Sequence, residues 1–318
     1  MFTVLPVQCC GLGKEDIVQI LAIGEILWDV FDHAEILGGA PLNFSAAAQR
    51  LGNQVALVTA VGDDSRGIRA VESMKALGLS TAFVQVLPGK DTGTAVVTTD
   101  AHGNASYFIK RPAAFDQFCL DEEQLSAIAE VHPDWFYFGT LAQTQSRNEE
   151  ILHRIRERIP SAQCFYDLNL REGHWSLPLV QRLSSLAAIL KLNDSEAEIL
   201  FHLTHPGEEF SLEQFCRGWS QTYGIETICV TLGGQGCAIF KDDALERFDG
   251  FKVTIADTVG AGDSFAAAFL HGYGLGRPVA EIATFANALG ALVASRAGAT
   301  PDWTIDECKA LIASQRKP

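Results

Sequence analysis

The chain reads as an α/β protein, with a mostly parallel sheet, helices on both of its faces and a small β lid. Three observations lead there. Short apolar runs rich in Val and Ile alternate with longer stretches of helical periodicity, the pattern of βαβ units. Two segments, 29–39 and 92–111, alternate in the strand manner with no helix between, which predicts an added small sheet. The 318 residues are 47% apolar and 20% charged, enough for a sizeable core. No internal repeat or linker-like tract divides them.

Taken in order, residues 1–17 read as an N-terminal extension and 18–318 as one domain. "IVQILAIGEI" is a buried strand, and "PLNFSAAAQRLG" a helix opened by Pro41 and closed by Gly52. "QVALVTAVG" (strand), "SRGIRAVESMKALG" (helix), "AFVQVL" (strand), "EEQLSAIAEV" (helix) and "WFYFGTL" (strand) follow. "TTDAHGNASYFI" reads as a hairpin turning at His102, Gly103 and Asn104. The alternation resumes with "NEEILHRIRERI", "QCFYDLN", "LVQRLSSLA", "AILKLN", "SEAEILFHL" and "TICVTLG". Ligands of such folds sit beyond the carboxyl ends of the strands.

The net charge of -15 speaks against nucleic acid as the main partner, because phosphate backbones demand clustered Lys and Arg. A phosphorylated small molecule needs only local positive potential. Eight cysteines show no CxxC spacing and sit mostly among apolar neighbours, so a reduced, cytoplasmic setting is expected. The start has no basic n-region and is not read as a signal peptide. No stretch approaches the length of a membrane span.

"DTVGAGDSF" (257–265) sets bare backbone and an aspartate at the mouth of a helix, "SFAAAFLHGYG". Free N–H groups and the helix dipole make such a place an anion site, and Gly260 and Gly262 admit a bulky anion. On local chemistry alone, Asp263 as a simple helix cap reads equally well. The stretch is no Walker loop, and "GAGDSF" lacks the last glycine of a dinucleotide fingerprint.

"DTVGAGDSFAAAFLHGYGLG" resembles the C-terminal signature of the ribokinase-like (PfkB) family of carbohydrate kinases, and "GGAPLNFSAAAQRLG" (38–52) its N-terminal signature. "YDLNLREGHW" (166–175), "KLNDSEAE" (191–198), "VTLGGQG" (230–236) and "FANALGALVASRAGATP" (285–301) fall in family order, so the likeness spans about residues 18 to 305. The resemblance implies a ribokinase-like three-layer fold and an ATP- and Mg²⁺-dependent sugar kinase. It implies that Asp263 accepts the proton of the attacking hydroxyl, while Gly260, Ala261 and Gly262 stabilise the transferring phosphoryl.

Sugar recognition is expected from Asp29, Gly38, Gly39 and Asn43, with Asp167, Asn169 and Arg171 projecting from one side of a strand end. Arg111, after the lid hairpin, is a further candidate. "NDSE" matches the family's N-x-x-E motif, which implies that Asn193 and Glu196 organise Mg²⁺ through water. An N-cap followed by an acidic first turn explains the same four residues. Thr231, Gly233 and Gly236 are expected along the nucleotide cleft and Asn287 near adenine. Asp257, with carbonyls near Arg296 and Gly298, resembles a monovalent-cation (K⁺) site.

"GEILWDVF", "GGAPLNF" and "DLNLREGHW" resemble fructokinases more than ribokinases or nucleoside kinases. The expected reaction is therefore D-fructose to fructose 6-phosphate. A 2-keto-3-deoxygluconate kinase is the alternative within the class, and a catalytically silent sugar or nucleotide sensor the alternative outside it. The lid segments are expected to cover the sugar and to pair in a homodimer.

Overall fold

A computed structural model describes residues 17–31, 33–99 and 105–315. Among them the chain runs through β1 (Gln19–Ile23), β2 (Leu27–Val30), β3 (Glu35–Gly38), α1 (Ala40–Arg50), β4 (Gln54–Gly62), α2 (Ser65–Ala76) and β5 (Val84–Leu87). Next come β6 (Gly93–Thr99), β7 (Ala105–Lys110), α3 (Glu122–Ala129), β8 (Trp135–Gly139), α4 (Ser146–Arg158), β9 (Gln163–Asp167) and α5 (Leu177–Ser184). Then follow β10 (Ile189–Asn193), α6 (Asp194–Thr204), α7 (Leu212–Tyr223), β11 (Thr227–Thr231), β12 (Gly236–Lys241) and β13 (Ala244–Asp249). Three helices, α8 (Ala261–Gly274), α9 (Val279–Ala294) and α10 (Ile305–Gln315), come last among the described residues.

The main sheet has the order β13-β12-β11-β10-β9-β8-β1-β4-β5. Pairing is parallel from β11 to β5, and only the β12 and β13 additions at one edge are antiparallel. Successive residues of β1 take opposite sides, as the strand period of two requires. Ile20 and Ala22 join a core built with α1, α8 and α9, while Leu21 and Ile23 join one built with α4, α6 and α7. Helices therefore cover both faces, the three-layer arrangement expected from the alternation.

The sequence pattern assigned no strand to 236–249 and no helix to 212–223, 279–294 or 305–315. The edge strand β13 has no fully buried residue, so it carries little apolar signal.

The small sheet has the order β3-β2-β6-β7. The two lid segments meet through parallel pairing of β2 with β6, for example Asp29 opposite Ala95, and each segment supplies one antiparallel pair. The turn at His102, Gly103 and Asn104 lies outside the described residues, as does most of the N-terminal extension.

Two helix starts depend on glycine. Gly39 caps α1 at φ 110°, where a Cβ would stand 2.5 Å from the Glu25 carbonyl oxygen. Gly260 caps α8 in the left-handed region at φ 77°, where a Cβ would stand 2.0 Å from the Ala299 carbonyl oxygen. Only glycine fits either place.

Candidate active site

The carboxyl ends of β1, β10 and β11 and the mouth of α8 open into one cleft of about 330 Å³, roofed by the small sheet. Its wall includes Asp29, Gly39, Asn43, Asn169, Arg171, Asn193, Glu196, Thr231, Gly260, Gly262 and Asp263. Leu27, Ala95 and Ile109 bring the lid sheet into the same wall. Residues that the sequence spreads over more than 200 positions are thus assembled in one place.

Asp263 sits in the first turn of α8 and is 9% exposed. Asn43 Nδ2, from the first turns of α1, donates to Asp263 Oδ2 at 2.8 Å. Burial pushes the Asp263 carboxyl up to about 6, with the nearby Asp167 carboxylate adding to the rise; Lys191 and the Asn43 bond oppose it. A carboxylate so placed is ionised near neutrality and more basic than one in water. Asn43 Oδ1 is buried with no hydrogen-bond partner.

The helix ladder of α8 begins with the Ser264 N–H donating to the Gly260 carbonyl. The N–H groups before it precede the ladder at the positive end of the helix dipole, and of these the Ala261 N–H donates to the Thr258 carbonyl at 3.3 Å. A Cβ at Gly262 would stand 3.4 Å from Lys191 Nζ, so bare backbone and an ammonium face the same space. Bare backbone at the positive end of a helix dipole, beside an ammonium, has the chemistry of an anion site. Ala261 belongs to the same turn, although its side chain is not part of the cleft wall.

Lys191 was passed over in the sequence pattern. It lies in β10, 7% exposed, and donates to Asp167 at 2.9 and 3.2 Å. Tyr137 OH also donates to Asp167, at 3.0 Å, and stacks on Phe44 of α1. Burial works against the Lys191 charge, but Asp167 and Asp263 outweigh it and the ammonium is held above its usual range. A lysine inside the apolar strand "AILKLN" was the available signal, because a buried charge requires a partner. Glu25 was passed over too, and it also lines the cleft.

Asp167 differs from expectation. It is fully buried beneath the site, in contact with Lys191 and Tyr137, and is not in the cleft wall. The strand ends at Asp167 and Asn169 takes a left-handed conformation, φ 43°, which turns Asn169 and Arg171 alone to the cleft. Asp29, in β2, is raised to about 6 by burial, with Arg171 opposing the rise. A Cβ on Gly38 would stand 3.0 Å from Asp29 Oδ2, so Gly38 backs this carboxyl rather than lining the cleft.

Asn193 caps α6, accepting the Glu196 N–H at 2.8 Å, while Glu196 accepts N–H groups of Asn193 and Leu170 at 2.9 and 2.6 Å. The capping box and the cleft position coexist: both side chains cap and both line the wall. Asp257 accepts the N–H groups of Val259 and Gly298 at 3.0 and 3.1 Å, tying the loop before α8 to the loop after α9.

Besides Gly38, Asp167, Asp257 and Ala261, four further expected residues lie outside the cleft wall. Arg111 is engaged by Asp116 and the Leu141 carbonyl, beside a separate surface pocket. Gly233 lies in the turn between β11 and β12. Gly236 is packed so closely on the end of β13 that a Cβ would stand 2.0 Å from the Phe248 carbonyl oxygen. Asn287 donates to the Phe248 and Asp249 carbonyls, fixing α9 against β13.

Among the described residues no group of three or more His, Cys, Asp or Glu side chains could hold a metal ion. Glu196 offers a single carboxylate already holding two backbone N–H groups. Such a donor set fits Mg²⁺ that comes with nucleotide phosphates and keeps much of its water. Among the described residues, no helix is long and apolar enough to cross a membrane.

The model of the pfkB family carbohydrate kinases matches residues 23–306. Fructokinase-1 of Zea mays is 29% identical over 279 residues, 83% of this chain and 84% of that protein. Among solved structures, a fructokinase from Xylella fastidiosa with bound ATP has a TM-score of 0.81 at 23% identity, over 95% of this chain and 100% of its own. A double-mutant fructokinase from Vibrio cholerae O395, in a form with fructose, ADP and potassium ion bound, has a TM-score of 0.79 at 21% identity, over 93% and 98% of the two chains.

Proposed function

The chain belongs to the pfkB family of carbohydrate kinases, and from that premise we propose that it transfers the γ-phosphoryl group of ATP to the 6-hydroxyl of D-fructose, with Asp263 as general base. The observation that carries this reading is the buried Asp263 carboxyl, held by Asn43 at the mouth of the α8 cradle. Phosphoryl transfer asks a protein to align two reactants and to neutralise charge.

In this mechanism the sugar hydroxyl lies against Asp263, which takes its proton as the oxygen attacks phosphorus. The N–H groups at Gly260 and Gly262, with the Lys191 ammonium, stabilise charge on the phosphoryl oxygens, and the Ala261 N–H joins them by exchanging its long bond to the Thr258 carbonyl. Asn193, Glu196 and Thr231 face the nucleotide side, where Glu196 would hold Mg²⁺ through water. The ion, bound with ATP, supplies positive charge to the phosphate oxygens. Gly233, Gly236 and Asn287 shape the hairpin and helix that border this side. Asp257, joined to Gly298, is where K⁺ would act, steadying the loop that begins α8.

The choice of a neutral sugar has its own support. Glu25, Asp29, Glu196 and Asp263 contribute four carboxyls to the cleft wall, against Arg171 and a Lys191 ammonium already paired with Asp167. A substrate carboxylate would meet repulsion there unless it lay directly on Arg171. The proposal includes a homodimer through the lid, supported by Val96 and Phe108, cross-strand partners that expose 39% and 70% of their surface. It includes a cytoplasmic setting, supported by the six free cysteines among the described residues.

The test is ATP consumption with Mg²⁺ and K⁺ across D-fructose, D-ribose, 2-keto-3-deoxygluconate and adenosine. Preferred turnover of D-fructose upholds the reading. Preference for 2-keto-3-deoxygluconate overturns the substrate and gives Arg171 its partner. Sugar and ATP binding without turnover would make the protein a sensor.

A further inference from the structure

Glu25 lies two residues past β1, at the end of the strand where the cleft opens, and lines that cleft with Asp29, Asn43 and Asp263. It is 5% exposed, and its Oε2 has no hydrogen-bond partner. A buried carboxyl oxygen left unmatched is costly, and native proteins keep few of them.

Part of the Glu25 side chain has a structural explanation. Gly39 brings no side chain to cap α1, and the Glu25 carboxyl feels its own backbone N–H first and that of Ala40 less. Oε2 has no hydrogen-bond partner to explain it. The Glu25 backbone is closely packed, because Gly39 lies against its carbonyl so tightly that no Cβ would fit. Glu25 also feels the charges of Asp263 and Arg171, from α8 and from the segment after β9, so it faces the volume where the acceptor is expected.

We propose that Glu25 is a substrate-contacting, specificity-determining residue, whose free carboxyl oxygen hydrogen-bonds a sugar hydroxyl other than the one phosphorylated. The inference rests on the sugar-kinase reading of this cleft. Burial pushes this carboxyl up to about 7, with Asp263 adding to the rise against Arg171 and backbone N–H groups. A carboxyl of this kind accepts a hydrogen bond when ionised and donates one when protonated. A hydroxyl can answer both, whereas a carboxylate or phosphate at the same place can only accept. Glu25 thus selects a neutral polyol at this end of the cleft.

The experiment is a double-mutant cycle between protein and sugar. Wild type and Glu25→Ala are assayed with D-fructose and its monodeoxy analogues lacking one hydroxyl away from the reacting carbon, or with the corresponding series of whichever sugar the wild type phosphorylates. In the wild type, one analogue is expected to lose roughly tenfold or more in kcat/KM, the scale of a buried hydrogen bond to a carboxyl. In Glu25→Ala that penalty should fall to near unity at the same position only, while KM for ATP stays within about twofold. Glu25→Gln, which keeps the shape, should retain a partial penalty there.

Equal penalties in wild type and Glu25→Ala at every position would overturn the inference and leave Glu25 as a support for α1. If Glu25→Ala does not fold, the cycle is run with Glu25→Gln, and an unaltered penalty pattern overturns the inference in the same way. A wild type that phosphorylates no sugar overturns the kinase reading, and this inference with it.

Discussion

Asn43 and Asp263, 220 residues apart, are joined by a 2.8 Å hydrogen bond that ties the first turns of α1 to the first turn of α8. The bond crosses the buried end of the cleft. It favours the charged form of Asp263, against a burial that pushes the carboxyl up to about 6. A general base works only when ionised, so kcat/KM should fall as pH drops through about 6, approaching tenfold per unit below it. Asn43→Ala removes the donor, which moves the acid limb to higher pH. A pH–rate profile checks both, and an unmoved limb would mean that this bond does not govern the base.

Lys191 and Asp167 form a buried ion pair, 2.9 Å, with side-chain exposures of 9% and 0%. Lys191→Met should cost about 3–5 kcal/mol of stability by leaving the Asp167 carboxylate buried without its cation. Adding Asp167→Asn, which still accepts from Tyr137 OH, should recover part of the loss. Urea unfolding of both variants measures this.

Two glycines with similar backbone but different surroundings separate strain from crowding. At Gly276, φ 64°, an added Cβ meets nothing, whereas at Gly260, φ 77°, it meets the Ala299 carbonyl. Gly276→Ala should cost about 1–2 kcal/mol for the left-handed backbone and leave kcat unchanged. Gly260→Ala must move the cradle, and a displacement near 1 Å should lower kcat by about 10²-fold. Steady-state kinetics beside thermal unfolding resolves the two.

The exposed Phe108 on β7 should lie within the proposed lid dimer. Phe108→Lys is expected to yield a monomer at concentrations where the wild type sediments as a dimer. A wild type that is monomeric throughout rules the dimer out.

Much of this fold was legible because the layer rule leaves a clear trace. "QVALVTAVG" is β4 residue for residue, and "AILKLN" contains β10. The lid was legible as two strand-like segments, but the β2–β6 pairing that joins them is nonlocal and leaves no mark in either. The site was legible where glycine and acid mark a helix mouth, as at Gly260 and Asp263. Asp167 read as a cleft residue because alternation was extended past Asp167 to Asn169, where the left-handed backbone breaks it. Lys191 and Glu25 escaped notice because each is one polar residue in an apolar run, and only folding reveals what each faces.

The most direct measurement of the central claim compares wild type and Asp263→Asn for ATP-dependent phosphorylation of D-fructose, with sugar and nucleotide binding measured by calorimetry on the same samples. With Asp263 as the general base, binding persists within a few-fold while kcat falls by about 10²–10⁴, the range for the loss of such a group. Turnover near wild type in the variant, with binding intact, would contradict that role and leave Asp263 as a buried tie between α8 and Asn43 of α1.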